Sequence, residues 1–218
     1  MKRFFVTMMG LVALLVLLVA WNIGSGSVSV TASQMCEVLF RKTTEGTFYH
    51  IVWDIRMPRM LAALFLGGAL AVSGFLLQTF FQNPIAGPYV LGISSGAKMV
   101  VAVVMIVCLG KGIQMSSFAM VLAAFFGSLL AMGFVLLLSM RVHKMSLLVV
   151  CGIMIGYICS AVTDFLVTFA SDSNIVNLHN WSMGSFSGTD WTDVLLFTVL
   201  VCITVVAVFL LAKPIGAY

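Results

Sequence analysis

Three histidines (His50, His143, His179), five cysteines (Cys36, Cys108, Cys151, Cys159, Cys202) and the run Gly92-Ile-Ser-Ser-Gly96 are the residues best equipped for bond chemistry in this 218-residue sequence. Metal ligation needs donors at short, regular spacing, and neither the histidines nor the cysteines stand that way; no C-x-x-C pair occurs. The G-x-S-x-G run matches a hydrolase nucleophile elbow, but that motif needs a preceding strand and a histidine and acid placed by an α/β sheet. Apolar runs of helical length surround it here. Small residues making a tight turn, with Ser94 or Ser95 capping the following helix, account for it better. No G-x-x-x-x-G-K-[ST] nucleotide loop is present. The expectation is a chain with no cofactor, no metal and no catalytic residues of its own.

Charges in unusual places offer more. The stretch Asp54-Ile-Arg-Met-Pro-Arg-Met60 puts Arg56 and Arg59 around Pro58 directly before a long apolar run. Two readings are open. The arginines snorkel to lipid headgroups at a helix start, with Pro58 in the first turn where its missing N–H does no harm. Alternatively they form an outward cationic knob for acidic residues of another protein, since clustered charge sets encounter rate and register. A second pattern, Gly152, Gly156, Ser160, Asp164 and Thr168, repeats every four residues inside an apolar run. Four residues turn a helix by about 400°, so this line winds slowly around its helix. Its small first half suits close packing and its polar second half a wetted path. For Asp164 a polar outer vestibule, an interhelical hydrogen bond and a proton relay all stay open.

The elements that carry these residues follow from composition. With 62% hydrophobic and 8% charged residues, the chain cannot cover itself with a water-facing surface. It is an all-α integral membrane protein by this reading, because apolar runs of this length exclude the alternation of barrel strands. About six spans are expected, near residues 4–22, 58–80, 94–110, 114–140, 146–170 and 192–212. The net charge of +4 is scattered in ones and twos at loop ends, which fits membrane orientation and not nucleic-acid binding. Cytoplasmic Lys2 and Arg3, with six spans, return the carboxy end to the cytoplasm, on the side of Arg141, Lys144 and Lys213. The other side holds Arg41, Lys42, Arg56, Arg59 and Lys111, so the positive-inside rule orients the chain only weakly. Topology therefore does not explain the bases between 41 and 59.

Two surface elements complete the outline. Thr31 and Gln34 form a T-x-x-Q capping pattern, and Met35, Val38 and Leu39 follow at helical spacing, predicting a short amphipathic outer helix over 31–42. Ile175, Leu178 and Trp181 predict a second short outer helix and turn over 174–188, with Trp181 and Trp191 suited to the membrane interface. In the second span, Ala63, Gly67, Ala71 and Gly74 share one side and suit close helix packing.

The block RMPRMLAALFLGGALAVSGFLLQTFFQNPIAGPYVLGISSGA resembles the signature region of the FecCD-type permeases of ABC importers, which take up iron siderophores, heme and vitamin B12. The likeness lies in its R-x-P-R start, G-x-x-L-x-x-S-G helix, N-P-x-A-x-P and L-G-x-S-S-G-A. A second block, LLVVCGIMIGYICSAVTDFLV followed by WSMGSFSGTDWTDV, resembles the family's fifth helix and the segment after it. The resemblance implies a single permease domain over 1–218 in the bacterial inner membrane. It would work as a dimer with a second, identical or paralogous permease chain, two cytoplasmic ATPase subunits and a periplasmic solute-binding protein.

It further implies that Arg56 and Arg59 receive acidic residues of the binding protein, that Gly156, Ser160, Asp164 and Thr168 line the translocation path, and that Lys144, Met145 and Ser146 lie at the cytoplasmic gate. Asp164 departs from the small or apolar residue usual there. The family has ten helices in two inverted five-helix repeats, so six spans correspond to one repeat and the first helix of the next. The expectation is that these 218 residues alone do not transport, the chain being a fragment, a truncated product or part of a split permease. A chain of another class, an ion-coupled secondary transporter using Asp164, would instead depend on a proton or sodium gradient.

Overall fold

The computed structural model describes residues 2–26, 28, 31, 37–38, 46–110, 113, 116–142 and 144–211. Among these every regular element is helical: α1 (Lys2–Gly24), a turn at Thr47–Tyr49 running into a π-helix (His50–Arg56), α2 (Met57–Phe80), α3 (Ile93–Gly110), α4 (Ser117–Ser139), α5 (Met145–Thr168), α6 (Asp172–Met183) and α7 (Trp191–Leu210). Among the described residues five stretches are long and apolar enough to cross a membrane, namely α1, Thr47–Phe80, α4, α5 and α7; α3 is a shorter apolar helix in the place of the third expected span. A helix of 23 residues such as α1 rises about 35 Å, enough for the roughly 30 Å hydrocarbon layer. None of the most apolar eighteen residues of α1 is buried within the chain, and only 6% of those in α7. Surface this apolar is stable against lipid or another helix, not against water. Of the expected outer helix at 31–42, only Thr31, Glu37 and Val38 are described; the rest, with Lys111, His143 and Lys213, lies outside the described residues.

The chain divides into two compact units, Met1–Ala69 with Phe186–Ala217, and Leu70–Ser185. In the first, Ile23, Val38, Val52 and Met60 form a small apolar core with Val19, Tyr49, Met57 and Leu61 against it. Here the structure corrects the position expected for Pro58. Helical backbone begins at Thr47, so Pro58 is a buried interior residue and not one of the first turn. Proline lacks an N–H and its ring crowds the carbonyl four residues back, which normally kinks or breaks a helix. The π-helix upstream accommodates it: the Met57 N–H donates to the Val52 carbonyl five residues back, so the register has already widened where the ring arrives.

In the second unit, α3 packs against α4 and α5, α4 against α5, and α6 against α3. Glycine permits these approaches. Gly92, at φ +74°, precedes α3, and a Cβ there would stand 2.7 Å from the Gly156 nitrogen and 2.9 Å from the Gly152 oxygen. A Cβ on Gly96 would stand 2.6 Å from that of Ala131 and 2.7 Å from the Gly127 carbonyl. Phe81, Ala86, Leu91, Val135, Leu148 and Val149 form one buried cluster. Val101, Ala102, Met105 and Leu178 form another, with Trp181 packed on it, which fixes α6. Since α3 begins at Ile93, Ser94 and Ser95 are helical residues and not its cap, a second correction.

Candidate functional site

In the first unit a cluster of polar and aromatic groups lies where the π-helix meets the start of α7. Asp190 and Asp193 cap α7 reciprocally: the Asp193 N–H donates to the Asp190 carboxylate at 2.8 Å, and the Asp190 N–H to that of Asp193 at 3.3 Å. Two orphan donors are thereby satisfied and the next residue, Trp191, is held in place. Its indole N–H donates to the Trp53 carbonyl at 3.0 Å, and the two indole rings lie 5.5 Å apart. Tyr49 stacks on Trp53 at 6.3 Å, and the exposed His50 Nδ1 and Asp54 Oδ2 are 2.6 Å apart, one turn along.

Arg56 and Arg59 belong to this corner but differ in surroundings. Arg56 is 8% exposed. Its Nη1 donates to the Ile23 carbonyl in the last turn of α1 at 2.6 Å, and its Nη2 to the Val28 carbonyl. Arg59 is half-buried; its Nη2 donates to the Ser187 carbonyl at 2.6 Å, and its buried Nε meets no partner among the described residues.

On α5 the four-residue line divides as its residue types suggest. Gly152 faces Leu91 and Gly156 faces Gly92, both buried. Ser160, Asp164 and Thr168 are exposed. The Ser160 hydroxyl reaches Ser95 Oγ at 3.5 Å, and the Thr168 hydroxyl donates to the Asp164 carbonyl at 3.0 Å. Thr163, off this line, is buried and donates to the Cys159 carbonyl at 2.8 Å. Lys144, Met145 and Ser146 are exposed at the start of α5, where the Lys144 carbonyl accepts from the N–H groups of Leu147 and Leu148, both at 3.1 Å.

Sequence reasoning had not singled out Trp53, Gly26, Gly127 or the Asp190–Asp193 cap. Only the cap left a readable signal, an acid at each end of D-x-x-D before an apolar run. Among the described residues no three His, Cys, Asp or Glu side chains come together as metal ligands do. The described residues offer instead a cluster of charge and aromatic rings in the first unit and, separately, exposed hydroxyls on α5.

The vitamin B12 import system permease protein BtuC of Klebsiella pneumoniae subsp. pneumoniae is 43% identical over 150 residues, covering 68% of this chain and 44% of that protein. The protein of the same description from Escherichia coli is 39% identical over 150 residues, covering 69% and 45%. This chain thus spans less than half the length of these relatives. Among solved structures, an inward-facing conformation of a metal-chelate type ABC transporter shares the fold, with a TM-score of 0.76 at 24% identity, over 95% of this chain and 62% of that one. The match to the FecCD transport family runs over residues 14–218, and this chain belongs to that family.

Proposed function

We propose that the chain is a membrane-spanning permease subunit of a binding-protein-dependent ABC importer in the bacterial inner membrane, carrying a cobalamin or an iron chelate such as a siderophore or heme. The observation that carries this is the family match across residues 14–218. The relatives named for vitamin B12 import and the fold shared with a metal-chelate transporter support the substrate class. The 218 residues form the part of a permease domain that spans less than half the length of the named relatives, with both termini cytoplasmic. The partners are a second permease chain, two cytoplasmic ATPase subunits that hydrolyse ATP, a periplasmic solute-binding protein and the surrounding lipid.

The corner of Arg56 and Arg59 is the docking face. Guanidinium groups take carboxylates in forked, charge-assisted pairs, and the neighbouring Trp53 and Trp191 supply the rigid aromatic surface that interfaces favour. Ser160, Asp164 and Thr168 lie along the path, with Gly156 behind them packed on Gly92, and Lys144, Met145 and Ser146 stand at the cytoplasmic gate. Exposed hydroxyls on an otherwise apolar helix offer a bulky chelate weak, exchangeable contacts, as a path must.

The test uses the tagged chain in lipid nanodiscs, offered solute-binding proteins loaded with cobalamin, ferric siderophore or heme. Retention of one of them, lost on reversing the charge of Arg59, is the expected result. Retention of none, together with cellular uptake that follows the proton gradient and fails in Asp164→Asn, would replace this function with ion-coupled transport.

A further inference from the structure

The helices α3, α4 and α5 carry one base and one acid between them, Lys98 on α3 and Asp164 on α5. Lys98 is close to the start of its helix, but that start is not a membrane edge. Gly92, the residue before α3, lies on Gly156 at the middle of α5, and beyond Lys98 the helix continues through MVVAVVMIVCLG to Gly110. Both charges therefore stand within the apolar layer, where an ionised side chain is expensive unless it faces a partner or water.

Helix register brings the two together. Leu91 and Gly92 meet Gly152 and Gly156, and one turn further Ser95 Oγ stands 3.5 Å from Ser160 Oγ. The sequence numbers rise in step, so α3 and α5 run parallel with an offset of about 65 residues between facing positions. Beyond the serines, Val167 packs on the buried cluster of Val101, Ala102, Met105 and Leu178, which keeps the same step. Lys98 lies between Ser95 and Ala102, and Asp164 between Ser160 and Val167, at one level. At about 100° per residue, Lys98 stands about 40–60° before the line of contact on α3, and Asp164 about 40–60° past it on α5. On parallel helices that face one another, opposite offsets point to the same side. The two side chains thus border one groove, with Lys98 half-buried and Asp164 exposed.

Other polar groups of the groove are already engaged. The Thr163 hydroxyl donates to the Cys159 carbonyl and that of Thr168 to the Asp164 carbonyl, while Ser95 and Ser160 are beside one another. In the present rotamers neither Lys98 nor the Asp164 carboxylate has an ion pair or hydrogen bond among the described residues. The four-carbon stem of lysine turns about several bonds, so ammonium and carboxylate can meet with no movement of the backbone.

We propose that Lys98 and Asp164 form an ion pair across the α3–α5 groove, and that Lys98 is the positioning residue that fixes the Asp164 carboxylate on the groove wall. A carboxylate held in this way is a wall group and not the carrier of a coupling proton. The pairing goes beyond the importer reading and follows from helix register whatever the chain transports.

A charge cycle on the 218-residue chain tests it, with unfolding in mixed micelles of rising dodecyl sulfate followed by circular dichroism. Lys98→Met and Asp164→Asn should each raise the unfolding constant about tenfold or more, because each leaves the other charge alone in an apolar place. The double variant Lys98→Met/Asp164→Asn should be more stable than either single variant. Lys98→Arg and the exchange Lys98→Asp/Asp164→Lys should both recover most of the loss, which packing alone would not restore. Strictly additive single effects, or an exchanged chain no better than Lys98→Asp alone, overturn the pair.

Cross-linking reads proximity with no charge left unpaired, and so holds even where a single-charge variant does not fold. Lys98→Cys/Asp164→Cys, in a chain whose five native cysteines are replaced by alanine, is treated in nanodiscs with a short bifunctional methanethiosulfonate. Linkage should be at least about tenfold faster than in Lys98→Cys/Phe165→Cys, whose second position is exposed on another side of α5. Equal rates would place Lys98 and Asp164 on different faces and remove the proposal.

Discussion

At the Arg56 corner a long side chain crosses a gap and supplies hydrogen bonds to carbonyls on another segment. Around Gly92, Gly96, Gly127 and Gly156, where α3 meets α4 and α5, backbone rests directly on backbone. Both arrangements answer the weakness of the hydrophobic effect between helices in lipid, where tails are as apolar as leucine. One gains dispersion contacts through the absence of side chains. The other satisfies polar groups that a low-dielectric surrounding makes expensive to leave bare. They should therefore fail differently: the glycine contacts should be intolerant of any added atom, whereas the arginine corner should tolerate bulk but not the loss of donors.

The largest effect is expected in the glycine region. Gly92→Ala puts a Cβ on a residue at φ +74° and drives it to 2.7 Å from the Gly156 nitrogen. Left-handed strain of about 1–2 kcal/mol adds to an overpacking cost of about 1–3 kcal/mol, so a loss of about 2–5 kcal/mol is expected. Unfolding midpoints in mixed micelles with rising dodecyl sulfate, followed by circular dichroism, measure it. A loss of only about 0.5 kcal/mol, as for an ordinary surface change, would mean that α5 does not approach so closely.

Next comes the arginine corner. Arg56→Met keeps an apolar stem of similar length and removes both donors, and is expected to cost about 2–4 kcal/mol in the same assay. Gly26→Ala alone should also destabilise, because its methyl meets the guanidinium. In the Arg56→Met background that obstacle is gone, so the two changes should fall short of additivity by about 1 kcal/mol or more. Strict additivity would separate Gly26 from Arg56.

Most of the fold was legible because apolar run length dictates it. The expected spans 58–80, 94–110 and 146–170 appear as Met57–Phe80, Ile93–Gly110 and Met145–Thr168. The short helix after α5 was also readable, since Ile175, Leu178 and Trp181 repeat at helical spacing and Leu178 is buried as that pattern requires. The widened helix at His50–Arg56 was not legible, because HIVWDIR carries no breaker and Pro58 reads as an N-terminal proline from sequence alone. Its cause lies in a register that only the continuous Thr47–Phe80 backbone reveals. Arg56 and Arg59 were singled out by position and charge, but nothing in RMPR distinguishes a guanidinium that reaches back to the Ile23 carbonyl from one that faces outward. That depends on how the loop after α1 is folded, a contact thirty-three residues distant. The serine cap expected at Ser94 or Ser95 failed for a related reason: Gly92 turns the chain first, so the helix has begun before either serine.

A smaller effect lies at the start of α7. Asp190→Ala removes the acceptor of the Asp193 N–H and is expected to cost about 1 kcal/mol, the ordinary loss of an N-cap. Asp190→Asn should recover most of it, since the amide oxygen accepts the same bond. No recovery would assign the effect to charge near the helix dipole and not to the cap.

The smallest and most discriminating change is Gly67→Ala. Gly67 lies on the small-residue side of α2, and a Cβ there meets no described atom within 4 Å, unlike one at Gly92 or Gly96. Helix packing had been expected of Ala63, Gly67, Ala71 and Gly74, yet within the described residues Gly67 has open space. A glycine in a helix interior costs about 0.5–1 kcal/mol relative to alanine through backbone entropy alone. With no neighbour to displace, Gly67→Ala should therefore raise the stability of the isolated chain by up to about that amount, reversing the sign seen at Gly92. The same substitution should turn destabilising wherever another helix lies against this face, so its sign in dilute micelles, compared with its sign in densely loaded vesicles, reports whether a second chain covers α2. A loss at every protein-to-lipid ratio would show that Gly67 is packed by the chain itself, and would erase the contrast between a glycine kept for contact and a glycine left open.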